Sequence, residues 1–299
     1  MKQMKKLSAV LLVAVLLISM LSSMVLGVTA AQLELGGPVS IEKMPLRGES
    51  EGSGIVVGGQ LLTEPNILVV NSDWGKAEGL QPIKLGGIVY NVTIGVNGFA
   101  EVADALFAAD GHETIYVAAG LYEAGIVQTA GNIKLYGPKA EINPNDAKEL
   151  SKPNAKRPAA AGLDASKDGE AVLTGGMTYS ASGSDLVMDG FYLGGNFAFS
   201  TDGSMGTGAT NYRFGTVVRN CVVNTMAANL FNHSVGNSPS MEISNLRVLK
   251  GKNLVNISGM MDIRVFNNYL NLTGNTIDTK LVCAGSMGSY ALIENNYYE

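Results

Sequence analysis

Runs of roughly five residues that alternate apolar and polar side chains recur along this chain, each stopped by Gly, Asn, Ser or Thr. The stretch IRVFNNYLNLTG, Ile263 to Gly274, shows the pattern. Alternation with a period of two predicts strands that turn one face inward. Asn267 and Asn268 break that alternation in its middle. Asn tolerates the left-handed backbone better than any other non-glycine residue, so the break reads as a corner.

The corner repeats. An aliphatic residue, any residue, Asn or Asp, any two residues and an apolar residue follow one another in five places. They are Val187-Met188-Asp189-Gly190-Phe191-Tyr192, Val218-Arg219-Asn220-Cys221-Val222-Val223, Ile243-Ser244-Asn245-Leu246-Arg247-Val248, Val265-Phe266-Asn267-Asn268-Tyr269-Leu270 and Ile293-Glu294-Asn295-Asn296-Tyr297-Tyr298. Their Asp or Asn positions lie 31, 25, 22 and 28 residues apart. Near-constant periods in this range are the mark of stacked repeats. A second element repeats in phase: NLFNHSVG, from Asn229, matches NLVNISGM, from Asn253, and LVCAGSMG, from Leu281, is a looser echo. Each repeat therefore holds at least three short strands and a corner, with Asp189, Asn220, Asn245, Asn267 and Asn295 expected in one hydrogen-bonded row.

Upstream, GIVVGG, NILVVNSDW and PIKLGGIVYNVTIGVNG read as short strands joined by turns, with Trp74 packing over one end of the coil. NGFAEVADALFAADG, Asn97 to Gly111, reads as a helix: Phe99, Val102, Ala103 and Leu106 share a face, Asn97 is the N-cap and Gly111 the stop. His112 follows as a C-terminal cap. From Glu113 to Ile142 strand follows strand, bent at Gly120, Gly131 and Gly137.

A helix of the type FAEVADAL, then TIYVAAGLYEAGIV and NIKLYGPKAEINPN, resembles the opening of right-handed parallel β-helix proteins of the pectate-lyase-like superfamily. EAVLTGG and LVMDGFYL continue the likeness, which covers Val96 to Glu299. The resemblance implies three parallel sheets per coil and a helix that caps the N-terminal mouth. It does not fix an activity, since the superfamily includes lyases, hydrolases, esterases and non-enzymatic surface proteins. The expected fold is all-β: a three-sheet solenoid with an N-terminal capping helix and a small preceding β segment. The expected division is a signal peptide at 1–30, a flexible leader at 31–53, a β segment at 54–97 and the coil at 98–299.

Composition sharpens this. The chain is 46% hydrophobic and only 16% charged, with 37 glycines in 299 residues, which favours short strands and turns over helices. Lys2, Lys5 and Lys6 precede an apolar run from Leu7 to Leu26 and the small residues Val28-Thr29-Ala30, the layout of a cleaved export signal. Its removal takes three lysines and no acid, moving the formal charge from −5 to −8. An acidic exported chain without a basic stripe excludes nucleic acid as a partner, and no stable membrane span remains. Export favours a disulfide between Cys221 and Cys283, but the repeat register puts them on different faces and more than two coils apart, so both are expected as free thiols. The Asn-x-Ser/Thr sequons at Asn91, Asn232, Asn256 and Asn271 fall mostly in strands and read as coincidences of composition.

Candidate chemistry is sparse. A calcium-dependent lyase needs several carboxylates on one sheet and a basic residue to take a proton. The strand segments on that face, 196–200, 229–233, 253–258 and 280–284, supply Asn196, Asn229, Asn232, His233, Asn253, Asn256 and Lys280, and no carboxylate. Asp185, Asp189 and Asp202 are near in sequence but belong to turns or to the corner row, short of the paired acids a hydrolase needs. His233 is the candidate general base, beside Asn232 and Asn256. The insertion at 143–170 carries Lys148, Lys152, Lys156, Arg157 and Lys167, with Asp146, Glu149, Asp164 and Asp168 in balance; it is either a rim for an acidic glycan or a solvated excursion. A Gly- and Thr-rich loop, Ser200 to Asn211, is expected to border the same groove.

The candidate binding residues are thus Lys152, Lys156, Arg157, Asn232 and Asn256, with no metal and no cofactor expected. The expected function is an extracellular or cell-surface protein that binds glycans or serves as an adhesion scaffold. The alternative is a polysaccharide lyase or glycoside hydrolase acting on an acidic polysaccharide such as pectin. YALIENNYYE reads as one more repeat, with Leu292, Ile293 and Tyr298 set for the core and no polar cap. The expectation is that the natural chain continues past Glu299 or pairs there with another chain.

Overall fold

The computed structural model describes residues 39–41, 60–62, 65–85, 87–123, 126–128, 130–157, 168–179, 185–194, 197–201, 215–224, 226–233, 238–251, 253–257, 260–271, 282–284 and 287–299. The segment expected to be an export signal lies outside the described residues. So does the leader, apart from Val39–Ile41, which pairs in parallel with Ile83–Leu85.

The protein is mostly parallel strands in three stacked sheets, the arrangement of a β-helix solenoid. Each coil visits the sheets in the same order. The first sheet holds Thr114–Val117, Ile133–Tyr136, Leu186–Asp189, Thr216–Arg219, Ser238–Ser244, Met260–Phe266 and Met287–Glu294. Ile67–Val70 and Gly98–Phe99 extend it at the N-terminal end. The second sheet holds Gly120–Tyr122, Ala171–Thr174, Tyr192–Gly194, Val222–Val223, Arg247–Val248, Tyr269–Leu270 and Tyr297–Tyr298. The third holds Ile126–Gln128, Met177–Tyr179, Phe197–Thr201, Met226–His233, Asn253–Ile257 and Val282–Ala284.

Register explains why the alternation in sequence must be strict. Leu68, Ile115, Leu135, Met188, Val218, Ile243 and Val265 pair in one line along the first sheet, and all are buried. Tyr122, Leu173, Leu193, Val223, Val248 and Leu270 form the matching line in the second sheet. In the third, the Phe199 and Phe231 rings stack at 4.5 Å, and Phe231 aligns with Val255. A slip of one residue would turn a whole line outward. Truncating either buried ring to Ala would cost about 3–5 kcal/mol.

Ile293 and Tyr298 align with the buried Val265 and Leu270 but are themselves exposed, 46% and 48%. Leu292 aligns with the exposed Arg264 on the outer face, one step out of phase with the core position expected for it.

The helix α1 is Val102–Ala108, shorter than its sequence pattern. Gly98 and Phe99 are a strand instead, and Asn97 is no helix cap. Its amide oxygen accepts from the Thr93 N–H at 2.7 Å and its NH2 donates to the Leu62 carbonyl at 2.9 Å, fixing the turn before that strand. Val102, Ala105 and Leu106 are buried in the same apolar cluster as the coil interior. His112 has φ 72° and, like Asn132 (57°) and Asp185 (50°), turns the chain into a strand of the first sheet; it is a corner, not a helix cap. Trp74 also departs from expectation. With Ile83, Leu85 and Val92 it packs on Val69 and Tyr116, so the small N-terminal sheet covers the outer wall of the first sheet rather than an end. Among the described residues no helix is long and apolar enough to cross a membrane.

Candidate functional site

The corner between the first and second sheets carries the densest side-chain chemistry. Asn220, Asn245, Asn267 and Asn295 have φ of 52°, 53°, 58° and 47°, the left-handed region that Asn tolerates. Their amides chain together: Asn245 donates to Asn220 at 3.0 Å, Asn220 to Asp189 at 2.8 Å and Asn295 to Asn267 at 2.6 Å. Asp189 joins this chain but does not hold the corner. Register pairs it with Arg219, so Gly190, with φ 81°, is the residue aligned with Asn220.

Only Gly fits there. A Cβ on Gly190 would lie 2.0 Å from the Ala140 nitrogen, because the chain leaving Gly137 crosses directly over it. The second Asn of the doublet has a separate task. Asn268 is fully buried, accepts from the Leu246 N–H at 2.8 Å and donates to the Ile243 carbonyl at 3.2 Å; Asn296 repeats the contact one coil on, donating to Val265 at 2.9 Å. One asparagine turns the chain and the next bonds it to the preceding coil.

Over its described part the insertion after Tyr136 is bonded along the coil, with Arg157 buried and Lys148, Glu149, Lys152 and Lys156 exposed. Residues 143–157 form a hairpin strap, bridged at Asn145 and Pro153, that lies along this corner. Asn143 donates to Asn245 at 3.3 Å, and Asn145 donates to the carbonyls of Leu246 at 2.9 Å and Asn267 at 3.4 Å. The Glu141 N–H reaches the buried Asp189 carboxylate at 3.0 Å, which also binds Arg219 at 2.7 Å.

Arg157, one of the candidate glycan contacts, is 1% exposed. Its guanidinium forms a two-pronged ion pair with Glu170, 2.8 Å on each side, and donates to the carbonyls of Ile142, Phe191 and Asn220. Every donor is engaged inside the protein, so Arg157 fastens the strap and offers nothing to a ligand. Lys156 is exposed, and Lys152 is exposed and paired with Glu149 at 2.8 Å. Asp146 accepts from the Lys148 and Glu149 N–H groups, which hold its carboxyl below the ordinary range.

Near the strap tip, Arg247 donates to the Asn145 amide oxygen at 3.1 Å and to the carbonyls of Leu150 at 3.4 Å and Ser151 at 3.2 Å. Its guanidinium lies 4.1 Å from the centre of the Tyr269 ring, which stacks on Tyr297 at 5.8 Å. The sequence marks Arg247 only as the residue two after a corner Asn. What surrounds it comes from a strap about 100 positions away, beyond the reach of any local pattern.

The other candidates lie on the third sheet. Asn232 pairs with Ser200 on one side and Asn256 on the other, and Thr178 pairs with Ser200. The line thus runs Thr178, Ser200, Asn232, Asn256, one residue per coil at about 4.8 Å spacing. Along each strand these positions alternate with the buried Phe199, Phe231 and Val255. His233 ends its strand opposite Ile257. The structure brings Asn232, Asn256 and His233 onto neighbouring strands and places Lys152, Lys156 and Arg157 along a different corner. The two groups do not converge. Ser200 and Thr201 end a strand of the third sheet, and the rest of the Gly- and Thr-rich loop expected to border the same groove lies outside the described residues.

Cys221 is buried and free, and burial pushes its thiol up to about 12, far from the reactive range. Cys283 aligns with Asn256 on the third sheet, a different wall. Among the described residues no cluster of three or more His, Cys, Asp or Glu is arranged to hold a metal ion. Comparison of the chain with family models, curated proteins and solved structures gives no match.

Proposed function

We propose that this is an exported right-handed β-helix scaffold of the pectate-lyase-like type, closed at its N-terminal mouth by α1, whose third-sheet wall binds glycan without cleaving it. The observation that carries the reading is the line Thr178, Ser200, Asn232, Asn256, four uncharged hydrogen-bonding residues in register on successive coils. Donor- and acceptor-bearing residues at one register position per coil suit a polymer of hydroxyl-bearing units laid along the coil axis. Four charged groups, Asp189, Arg219, Glu170 and Arg157, are engaged in holding the coil and strap together. The signal-like segment at 1–30 supports export.

Affinity electrophoresis of the purified protein in gels containing acidic or neutral polysaccharides tests this, alongside assays for reducing ends and unsaturated products. The expected result is retardation by at least one polymer, abolished in an Asn232→Ala/Asn256→Ala variant, with no product formed. Product release would replace the scaffold reading with a lyase or hydrolase, and His233→Ala would then be the first variant to assay. Retardation by none of the polymers would remove glycan binding altogether.

A further inference from the structure

Two arginines are buried along the strap, and the described structure gives a counterion to only one. Arg157 has Glu170 on the same edge of its guanidinium that a carboxylate ligand would use. Arg247, 6% exposed, has three neutral acceptors, and its Nε is the one buried side-chain nitrogen or oxygen among the described residues with no hydrogen-bond partner. Glu299 acts on it only at a distance: its carboxylate accepts from the Tyr269 hydroxyl, on the ring under the guanidinium. Desolvation accordingly lowers the pKa of Arg247 from its ordinary value.

A buried cation left without a counter-charge is costly, and this position does not require one. The residues aligned with Arg247 on adjacent coils are Val222 and Tyr269. We infer that Arg247 is an anion-binding position that takes the carboxylate of an acidic ligand on its Nε and Nη2 edge, beneath the tip of the strap.

The geometry favours a carboxylate. Stacking on Tyr269 fixes the guanidinium plane, and that edge presents two parallel N–H donors matched to two carboxylate oxygens. Nη1 stays with Asn145 and Leu150, while on the binding edge the Ser151 carbonyl, 3.2 Å from Nη2, has to move aside and the buried Nε has to be uncovered. Ser151 lies in a tight turn between Asp146 and Lys152, held by short local bonds and flanked by the exposed Lys148 and Lys152, so it is the tip that must shift to admit the ligand. This site is distant from the third-sheet line and does not rest on it.

The test is thermal unfolding of the purified protein with sodium glucuronate, against glucose and against sodium chloride at matched ionic strength. The expected result is a rise in Tm of roughly 2–4 °C with glucuronate alone. Arg247→Met abolishes the rise, and Arg247→Lys, which keeps the charge and loses the two-pronged edge, weakens it severalfold. The Asn232→Ala/Asn256→Ala variant keeps it in full. No rise in the parent, or the same rise in Arg247→Lys and Arg247→Met as in the parent, overturns the inference. If Arg247→Met fails to fold, an undiminished rise in Arg247→Lys is enough to overturn it.

Discussion

One buried arginine lies at the base of the strap and another on the coil beneath its tip, and the two are held in opposite ways. At the base, Arg157 meets three backbone carbonyls and a buried carboxylate, so its charge is neutralised where it sits. Beneath the tip, Arg247 meets neutral oxygens and an aromatic face, so its charge is stabilised only in part. The difference separates a fastening from a contact that can be exchanged. A fastening has all its donors spent, whereas an exchangeable contact keeps one in reserve.

The largest effect is expected where the fastening is broken on one side. Arg157→Met leaves Glu170 buried and unpaired and should lower stability by roughly 3–5 kcal/mol in urea unfolding. Arg157→Met with Glu170→Met removes both charges and should recover most of that loss. A single variant as stable as the parent would mean that the base does not hold the strap. Next comes Gly190→Ala, which forces a Cβ into the Ala140 backbone at a residue of positive φ and should cost roughly 2–4 kcal/mol. Hydrogen exchange at Glu141, whose N–H bonds to Asp189 beside that crossing, should rise in step.

How far the sequence carries this comparison depends on which contacts are local. The stacked parallel strands, the asparagine corners and the alignment of Asn229 with Asn253 are legible because each repeat carries the same marks at nearly the same interval. Asp189 reads as a corner because the motif accepts Asp or Asn, yet a glycine beside it outcompetes it once the chain leaving Gly137 crosses there. Asn97 reads as a helix cap because it precedes an apolar helical run, but it bonds to Thr93 and Leu62 in the preceding turn and strand. Arg157 reads as a surface charge in a loop rich in Lys and Asp. Its burial follows from Glu170, Phe191 and Asn220, which the coil alone brings together.

A smaller effect is expected on the corner beneath the strap tip. Asn267→Val places a β-branched residue at φ 58° and breaks the bond from Asn295, for a loss of about 1–3 kcal/mol. Asn267→Gly keeps the backbone conformation and should cost less than half as much. Equal losses from the two would show that the amide ladder, and not the corner conformation, is what Asn267 supplies.

The smallest effect is expected on the outer side of the tip, from Glu149→Gln. The Glu149 and Lys152 side chains meet at 2.8 Å, but they are 53% and 67% exposed, so water and salt screen the attraction. The hydrogen bond from Lys152 holds the Glu149 carboxyl below its ordinary value. A lowered value in the folded state means that any stabilisation is present above the ordinary carboxylate range and is lost as pH falls through the lowered value. Melting curves of the parent and of Glu149→Gln should therefore coincide at neutral pH within error and stay parallel on acidification. If the variant instead melts as early as Gly190→Ala, the tip bears the strap's load, and the contrast between a fastened base and an exchangeable tip fails.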